Sequence, residues 1–331
     1  MRLLPGTKGL RDSEAGAEGA MSVATNEIAR WKTLLAFGII YFVWGSTFLA
    51  IRIGVAEVPP FLLASMRFLV AGLALYLWML LKGERNPTAK QWGSATLLAL
   101  LIFVGDYGLL FWAEQRVPSG LAAVMLATIP AFMALAEIIL LRTQKLTLRL
   151  VIALLIGFLG VAVLVVRQLN LGGEPIDRAG AAALIFGAIS WSLASALAKK
   201  LPLPQAKTMS SGAQMLAGGI LLGATAAMRG EFAGFHPAVV SGRAWLALLY
   251  LIVAGSIVGF TAYVWLLHHN SPTKVGTYAY VNPVVAVLLG CFAAGEPLGE
   301  RTIVGSACVL ASVVMITTAG AKKPAKAKVS A

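Results

Sequence analysis

Charged residues are scarce in this chain. Asp, Glu, Lys and Arg together make up only 12% of its 331 residues, whereas 59% of the residues are hydrophobic and the mean hydropathy is +0.82. Soluble domains carry about 25% charged residues, so this composition leaves too little charge to cover a water-soluble fold. It therefore excludes a water-soluble enzyme or binding module and indicates a chain that lies in a lipid bilayer.

Histidine and cysteine are also nearly absent, with three and two residues respectively. Cys291 and Cys308 lie in apolar runs and form no CxxC pair, so we interpret them as small core residues. His268 and His269 are adjacent at the end of an apolar run, and His236 belongs to a different connection. Three such histidines cannot assemble a zinc site. The sequence therefore predicts neither a bound metal nor a cofactor.

What the chain does contain is a succession of apolar runs of about 20 residues, the length that crosses a bilayer as a helix. The first half has five runs, near 33–54, 60–81, 91–113, 119–141 and 149–167. After a polar link at 169–178, five more follow, near 179–198, 209–228, 243–267, 274–294 and 302–319. We therefore predict an all-α integral membrane protein with ten transmembrane helices. Residues 1–30 are predicted to form a disordered tail and residues 321–331 a basic tail.

Lys and Arg are concentrated in alternate connections between these runs. If the amino terminus is cytoplasmic, sixteen basic residues fall on the inner side of the membrane and seven on the outer side. Cytoplasmic connections of membrane proteins carry this excess of positive charge. The distribution of basic residues thus predicts that both termini lie in the cytoplasm. Because topology accounts for the basic residues, the net charge of +13 gives no reason to expect a nucleic-acid partner.

The two halves of the chain repeat each other. Trp44 corresponds to Trp191, 147 residues later, and other matched positions lie 146 to 154 residues apart. Because each half holds five spans, an odd number, the second half enters the membrane in the opposite orientation. We therefore predict two inverted five-helix repeats, residues 31–168 and 179–320, around a central cavity.

A proline interrupts the fourth span of each half, at Pro130 and Pro283. Proline removes one helical hydrogen bond and crowds the carbonyl four residues earlier, so each helix is expected to bend there. Freed carbonyls are tolerated at membrane depth only where they face protein or a watery cavity. Matched interruptions in two halves of a chain point to a transporter's binding site. We therefore place both kinks at the central cavity.

Several separated motifs resemble one known family. The motifs are WGS at 44–46, SMRFLVAG at 65–72, VPSGLAAVM at 117–125 and GEPLGERTIVG at 295–305. Over residues 33–319 the chain resembles the drug/metabolite transporter superfamily in its ten-helix EamA-type branch, and bacterial exporters of amino acids, aromatic ones included, look similar. The resemblance implies a basket of ten helices that exports a small metabolite by alternating access. Two positions depart from the pattern: Gln144 stands where the second half has Glu296, and Ser192 rather than glycine follows Trp191.

Aromatic and amide side chains are the candidate substrate contacts, because flat rings can stack on an apolar or amphipathic solute. The predicted substrate-binding residues are Tyr41, Trp44, Arg67, Tyr107, Phe111, Trp191, Trp265, Tyr278 and Asn282. Asn282 precedes Pro283, so its amide and the freed carbonyls could bind the ammonium and carboxylate of an amino acid. Packing between helices is the alternative for the rings, and an interhelical hydrogen bond is the alternative for Asn282.

Three ionisable residues lie within spans, where a charge is costly and must face the protein interior or a cavity. Arg67 and Asp106 lie at similar depth. They are predicted to form a structural ion pair or, alternatively, to act separately, Arg67 on a substrate carboxylate and Asp106 on a proton. Glu137 is either a second coupling carboxylate or a residue at the inner interface.

The sequence thus predicts a secondary transporter of the bacterial inner membrane, with the lipid bilayer and a small-molecule substrate, an amino acid or a related metabolite, as its partners. The chain is compatible with a monomer. A nucleotide-sugar carrier is one alternative, but it would need more than one cation in the cavity. A passive channel is another, although channels usually show a polar-lined path. An intramembrane enzyme would need a nucleophile with a base, which the spans do not offer.

Overall fold

The computed structural model describes residues 7–117, 122, 125–165, 177–294 and 300–318, and these residues contain no β-strand. The helices are α1 (Thr7–Val55), α2 (Pro60–Leu81), α3 (Ala89–Ala113), α4 (Ile129–Leu141), α5 (Leu148–Val165), α6 (Arg178–Leu197), α7 (Lys207–Met228), α8 (Gly242–His269), α9 (Tyr278–Ala294) and α10 (Glu300–Thr318). A one-turn helix, Pro272–Val275, precedes α9. Glu296 and most of the VPSGLAAVM motif lie outside the described residues.

Within this described part, six helices are long and apolar enough to cross a bilayer. They are α2, α3, α6, α7, α8 and the Arg30–Val55 part of α1. Shorter apolar helices cover Ile129–Leu141, Leu148–Leu164 and Ile303–Thr318. The predicted all-helical membrane class is therefore confirmed.

The amino-terminal segment contains the start of α1. This helix begins at Thr7 and continues without a break to Val55, and the tail predicted from the sequence covers residues 1–30. Alanine and glutamate are frequent in this segment, and both residues favour the helical state. The apolar part of α1 nevertheless starts only at Arg30.

Large apolar side chains cover the outside of the helices. Leu73, Leu77 and Leu81 follow one another at intervals of four on the exposed face of α2. Soluble monomers rarely expose apolar surface as continuous as this, whereas lipid accepts it. Polar residues of the same helix point inward, since Ser65 and Arg67 are buried. One side of α2 thus faces lipid and the opposite side faces the protein interior, as expected for a membrane helix.

The helices pack in a reciprocal pattern between the two halves of the chain. The most extensive contacts are those of α2 with α7 and of α5 with α10. α1 packs against α8 and α9, while α6 packs against α3 and α4. The first helix of each half therefore lies against the third and fourth helices of the other half, which brings residues from both halves to one centre.

Glycine allows α2 and α7 to approach closely. A Cβ atom on Gly72 would collide with the backbone of Leu216. A Cβ atom on Gly219 would lie 2.6 Å from the amide nitrogen of Leu69. Across the same interface Ser65 Oγ donates a hydrogen bond of 2.8 Å to the carbonyl of Gly219. Small residues at the crossing and a polar tie between helices are the usual means of packing in membranes.

We expect Gly72→Ala to destabilise the protein, because the added methyl meets backbone atoms that cannot rotate away. Overpacking of this kind costs about 1–3 kcal/mol. Gly38→Ala in α1 is the matched control, since no atom lies within 4 Å of its added methyl and alanine favours the helix. The measurement is the unfolding temperature of the purified protein in detergent. Equal unfolding temperatures for the two variants would contradict the close α2–α7 crossing.

Candidate functional site

An aromatic cluster occupies the centre of the described helices. Trp44 of α1 and Trp191 of α6 meet edge to face, with ring centroids 5.6 Å apart. Tyr263 of α8 contacts both rings, at 5.2 Å from Trp44 and 4.8 Å from Trp191. Tyr107 of α3 lies 5.5 Å from Trp191, and Tyr278 of α9 lies 4.8 Å from Trp44. Edge-to-face contacts at these distances are favourable, so the rings hold one another in place.

Irregular turns of α3 and α8 surround this cluster. Each helix has a π-helical segment, Leu100–Gly108 in α3 and Leu251–Phe260 in α8. π turns interrupt the regular hydrogen-bond ladder and are frequent at functional sites. In membranes the backbone groups that such turns free must find partners inside the protein.

Side chains from the opposite half of the chain supply those partners. Trp44 Nε1 donates a hydrogen bond of 3.0 Å to the carbonyl of Gly255 in the π segment of α8. Ser190 Oγ donates one of 2.8 Å to the carbonyl of Leu101 in the π segment of α3. The two bonds are reciprocal, since α1 supports α8 and α6 supports α3. Trp44 is thus both a ring of the cluster and a backbone partner.

A small cavity of about 50 Å³, here called the central cavity, adjoins the cluster. Of the residues predicted from the sequence, its wall includes Trp44, Asp106, Tyr107, Trp191, Tyr278, Asn282 and Pro283. Such a volume holds a few water molecules and is too small for an amino acid. The central cavity therefore has no room for an amino acid in this conformation.

A larger cavity of about 590 Å³, here called the vestibule, lies beyond Tyr263. The end of α6, the start of α7, the end of α8 and part of α3 form its wall. The Tyr263 hydroxyl is hydrogen-bonded at 2.5 Å to Ser195 Oγ, which fixes the ring. Because Tyr263 also contacts Trp44 and Trp191, the aromatic cluster separates the vestibule from the central cavity.

Arg67 lies behind the central cavity and is only 1% exposed. Its Nε donates a hydrogen bond of 2.7 Å to Ser256 Oγ of α8. The guanidinium carbon lies 5.0 Å from the ring centre of Tyr107 and 6.0 Å from that of Phe111, distances at which a cation is attracted to a ring. Arg67 thereby connects α2 to α3 and α8, and Phe111 is a packing partner of Arg67 outside the cavity wall.

Asp106 is buried and belongs to the wall of the central cavity. Among the described residues its Oδ1 atom has no hydrogen-bond partner, and it forms no ion pair with Arg67. A Cβ atom on Gly187 would lie 3.0 Å from Oδ1, so the absence of a side chain on Gly187 leaves room for this carboxylate. A buried carboxylate with an oxygen that has no hydrogen-bond partner is a candidate for a functional role.

Asn282 and Tyr41 are linked beside the central cavity. With its amide nitrogen turned toward the neighbouring carbonyls, Asn282 donates hydrogen bonds of 3.0 Å to Tyr278 and 3.2 Å to Tyr41. The Tyr41 hydroxyl is hydrogen-bonded at 2.7 Å to Thr277 Oγ1. Tyr41 therefore stabilises the start of α9 and does not line the central cavity. Asn282 contributes to the same hydrogen bonds and also lines the cavity.

The two prolines are placed differently from one another. The chain turns at residues 127–128, so Pro130 lies in the first turn of α4, where its missing N–H has no cost. In the second half the turn falls at residues 276–277, and Pro283 lies inside α9. There the proline removes the helical donor to the carbonyl of Ala279, and Ala279 lines the central cavity. Pro283 lines the central cavity. In the first half Ile129, the residue before Pro130, lines it, and Pro130 does not.

Two of the predicted residues lie away from the central cavity. Trp265 stacks on His269, with ring centroids 4.2 Å apart. Glu137 accepts hydrogen bonds of 3.2 Å from the amide of Thr273 and 2.7 Å from its hydroxyl. The Glu137 carboxylate therefore caps the one-turn helix Pro272–Val275 and ties it to α4.

The EamA-like transporter family matches residues 31–166 and, separately, residues 178–318. The chain belongs to this family. The uncharacterized inner membrane transporter YedA of Escherichia coli (strain K12) is 36% identical to it over 289 residues, which cover 87% of this chain and 91% of YedA.

Other similar proteins agree with the membership of the EamA-like family. Protein PecM of Dickeya dadantii (strain 3937) is 27% identical over 83% of this chain and 88% of PecM. A crystal structure with 22% sequence identity superposes with a TM-score of 0.69 and covers 86% of this chain and 97% of the other, which shows a shared fold. This EamA-like protein is thus a multi-pass membrane transporter and not an enzyme.

Sequence reasoning did not single out Tyr263 in this EamA-like transporter. Gly255, Gly259 and Tyr263 are spaced by four residues and so share one helical face. A Cβ atom on Gly259 would lie 2.5 Å from Trp44 Nε1, so the two glycines let α1 approach α8 next to the tyrosine. That spacing of small residues ahead of an aromatic residue is the signal that could have identified it.

We expect Ser190→Ala to lower the stability of this EamA-like transporter, because the carbonyl of Leu101 loses its donor from another helix. A buried carbonyl left without a partner costs about 1–3 kcal/mol. Ser211→Ala is the matched control, since Ser211 Oγ is equally buried but donates within its own helix, to Lys207. The unfolding temperatures of the two variants in detergent are compared. A loss no larger for Ser190→Ala than for the control would refute the role of this bond.

Proposed function

We propose that this transporter exports amino acids or similar small amphipathic metabolites across the inner membrane by alternating access. The observation that carries the proposal is the separation of two compartments by one aromatic layer. The central cavity of about 50 Å³ and the vestibule of about 590 Å³ lie on opposite sides of the aromatic layer that contains Tyr263. A carrier needs such a barrier because its site must never be open to both sides at once.

We further propose ten membrane crossings, arranged as two inverted five-helix repeats. The separate family matches in the two halves support this arrangement. So does the reciprocal packing, in which α1 contacts α8 and α9 as α6 contacts α3 and α4. Five crossings in each half would give the halves opposite orientations. Alternating access would then exchange the roles of two equivalent helix sets.

The chemistry of the cavity wall supports an amphipathic substrate. Trp44, Trp191 and Tyr278 offer aromatic surface. Asn282 and the carbonyl of Ala279 add an amide and an acceptor at the same wall, and Asp106 adds a carboxylate. A few polar groups among apolar ones are typical of a site that binds and orients a small molecule. An ammonium group beside Asp106 and an apolar side chain against the rings fit this wall.

The excess of Lys and Arg supports an orientation with both termini in the cytoplasm. In that orientation the vestibule faces the cytoplasm, because it lies where α6 ends and α7 begins. The conformation is then open on the inner side as far as Tyr263. A substrate for export would enter from this side.

Counterflow tests the proposed function. The protein is reconstituted in sealed vesicles that are loaded with one unlabelled amino acid, and labelled amino acid is added outside. A carrier gives transient accumulation of label and saturable uptake, because its site is exposed to one side at a time. Uptake that rises linearly with concentration, without accumulation, would indicate a passive channel instead. A panel that includes aromatic, aliphatic and acidic amino acids identifies the preferred class.

We expect Asp106→Asn to abolish the dependence of transport on a pH gradient, because it removes the carboxylate of the cavity wall, whose Oδ1 atom has no hydrogen-bond partner among the described residues. Glu137→Gln is the control. The Glu137 carboxylate is already used by Thr273, so its replacement lowers stability while the response to the gradient remains. Transport is measured in vesicles with and without an imposed pH gradient. A full response in Asp106→Asn would exclude this residue as the coupling group.

A further inference from the structure

The vestibule collects positive charge. Lys199, Lys207 and His268 all belong to its wall, which contains no acidic residue in the part that the structure describes. Lys199 and His268 are exposed, and burial together with the nearby lysines lowers the pKa of His268, so the positive charge of the wall comes from the two lysines. Partial burial lowers the pKa of Lys199, and the nearby Glu137 carboxylate raises it. Like charges gathered in this way repel one another unless an anion lies between them.

The Glu137 carboxylate lies near Lys199, but its oxygens are bound by other residues. Its Oε2 atom accepts two hydrogen bonds from Thr273, and its Oε1 atom accepts one of 3.1 Å from Thr143. Both oxygens are therefore used to hold the one-turn helix before α9. Glu137 is also absent from the vestibule wall.

The amino terminus of α7 adds a second, independent feature of the vestibule. α7 begins at Lys207, and the preceding residue, Ala206, has no side-chain acceptor for the free N–H groups of the first turn. In other helices of the described chain a side chain fills this role: Thr88 caps α3, Asp177 caps α6 and Ser241 caps α8. A helix amino terminus attracts anions through its free N–H groups and its dipole.

The helix that corresponds to α7 in the first half shows what such a terminus binds. α2 starts at Pro60, which matches Lys207 at the offset of the Trp44–Trp191 pair, and Pro59 provides no side-chain cap. There a carboxylate from another element takes the position, because Glu231 Oε2 accepts a hydrogen bond of 2.9 Å from the amide of Leu62. The described chain offers no such carboxylate to α7.

We infer that the vestibule binds the anionic group, a carboxylate or a phosphate, of a small solute between Lys199, Lys207 and His268 and the amino terminus of α7. The two lysines would neutralise the solute's charge, and the N–H groups of the first turn, with a ring N–H of His268, would bind its oxygens. The inference deepens the proposed function, since Tyr263 lies between this site and the central cavity, but the binding itself does not require transport.

The vestibule fits a dissolved small molecule better than a lipid headgroup. Its volume of about 590 Å³ lies in the range of small-molecule sites. Its wall reaches inward to Ile102 of α3 and to Tyr263, whose ring belongs to the central aromatic cluster. The site therefore leads toward the centre of the protein. Gln205, Ser210 and Gln214 add polar groups that a solute could contact.

Anion-dependent unfolding of the purified full-length chain tests the inference. Inorganic phosphate, and in a parallel series acetate, replaces chloride at constant ionic strength in a neutral detergent. A ligand of the folded state raises the unfolding temperature in a saturable way. We expect saturation for the unchanged protein and a half-saturating concentration about tenfold higher for Lys199→Gln and for Lys207→Gln.

Two further variants make the result specific. Lys200→Gln removes the same charge from the neighbouring residue, which is exposed and outside the vestibule wall, and should respond as the unchanged protein does. Lys199→Arg keeps the charge and should retain the response. The same unfolding series with phosphatidylglycerol added in place of the free anions examines the lipid alternative.

The unfolding experiment has results that support the inference and results that overturn it. Saturable stabilisation that Lys199→Gln weakens and Lys200→Gln preserves supports the inference. No response to either free anion, an equal response in Lys199→Gln and Lys200→Gln, or a response to phosphatidylglycerol alone would overturn it. The unfolding experiment measures anion binding without a membrane gradient, so its result does not depend on whether counterflow is observed. Failure of the anion-binding proposal can therefore be distinguished from failure of the proposed transport function.

Discussion

The need to pair every backbone polar group in the absence of water governs this structure. A regular helix meets that need by itself, but a binding site requires irregular turns that expose carbonyl and amide groups. The chain has such turns in α3 and α8 and ahead of α4 and α9, and each of them contains buried residues. In α3 and α8 a hydrogen-bond partner comes from a distant part of the sequence, so the assembled fold helps to stabilise the local irregularity.

Partners are exchanged between the halves. Trp44 donates to Gly255, and Ser190 donates to Leu101, so each half completes the backbone of the other. A hydrogen bond of this kind fixes the rotation of a helix as well as its distance, because the donor must face one particular carbonyl. The rings of the aromatic cluster are oriented by the same helices. Motion of α1 relative to α8 would therefore change the backbone support and the aromatic barrier together.

Much of this arrangement could be predicted from the sequence, and the limits have a physical cause. Apolar length identifies the helical class, and the matched tryptophans Trp44 and Trp191 do meet. Trp265 follows Phe111 by 154 residues, an offset within the range of the repeat, yet Trp265 stacks on His269 while Phe111 lies beside Arg67. Both residues follow a π segment, and an extra residue in one turn rotates everything after it. Helical periodicity in the sequence does not predict this rotation. The orientation of the side chains after the π segment is therefore known only from the structure.

The two halves of the chain repeat each other in sequence but differ in charge at the amino termini of α2 and α7. The amino termini of α2 and α7 are equivalent by offset, yet a carboxylate of Glu231 binds near the start of α2, while lysines surround the start of α7. An internal carboxylate makes the α2 end a fixed contact between connections. Replacement of that carboxylate by cations leaves the α7 end attractive to an anion from solution. Equivalent positions in the two halves thus differ in charge, and this difference is the basis of the proposed anion site.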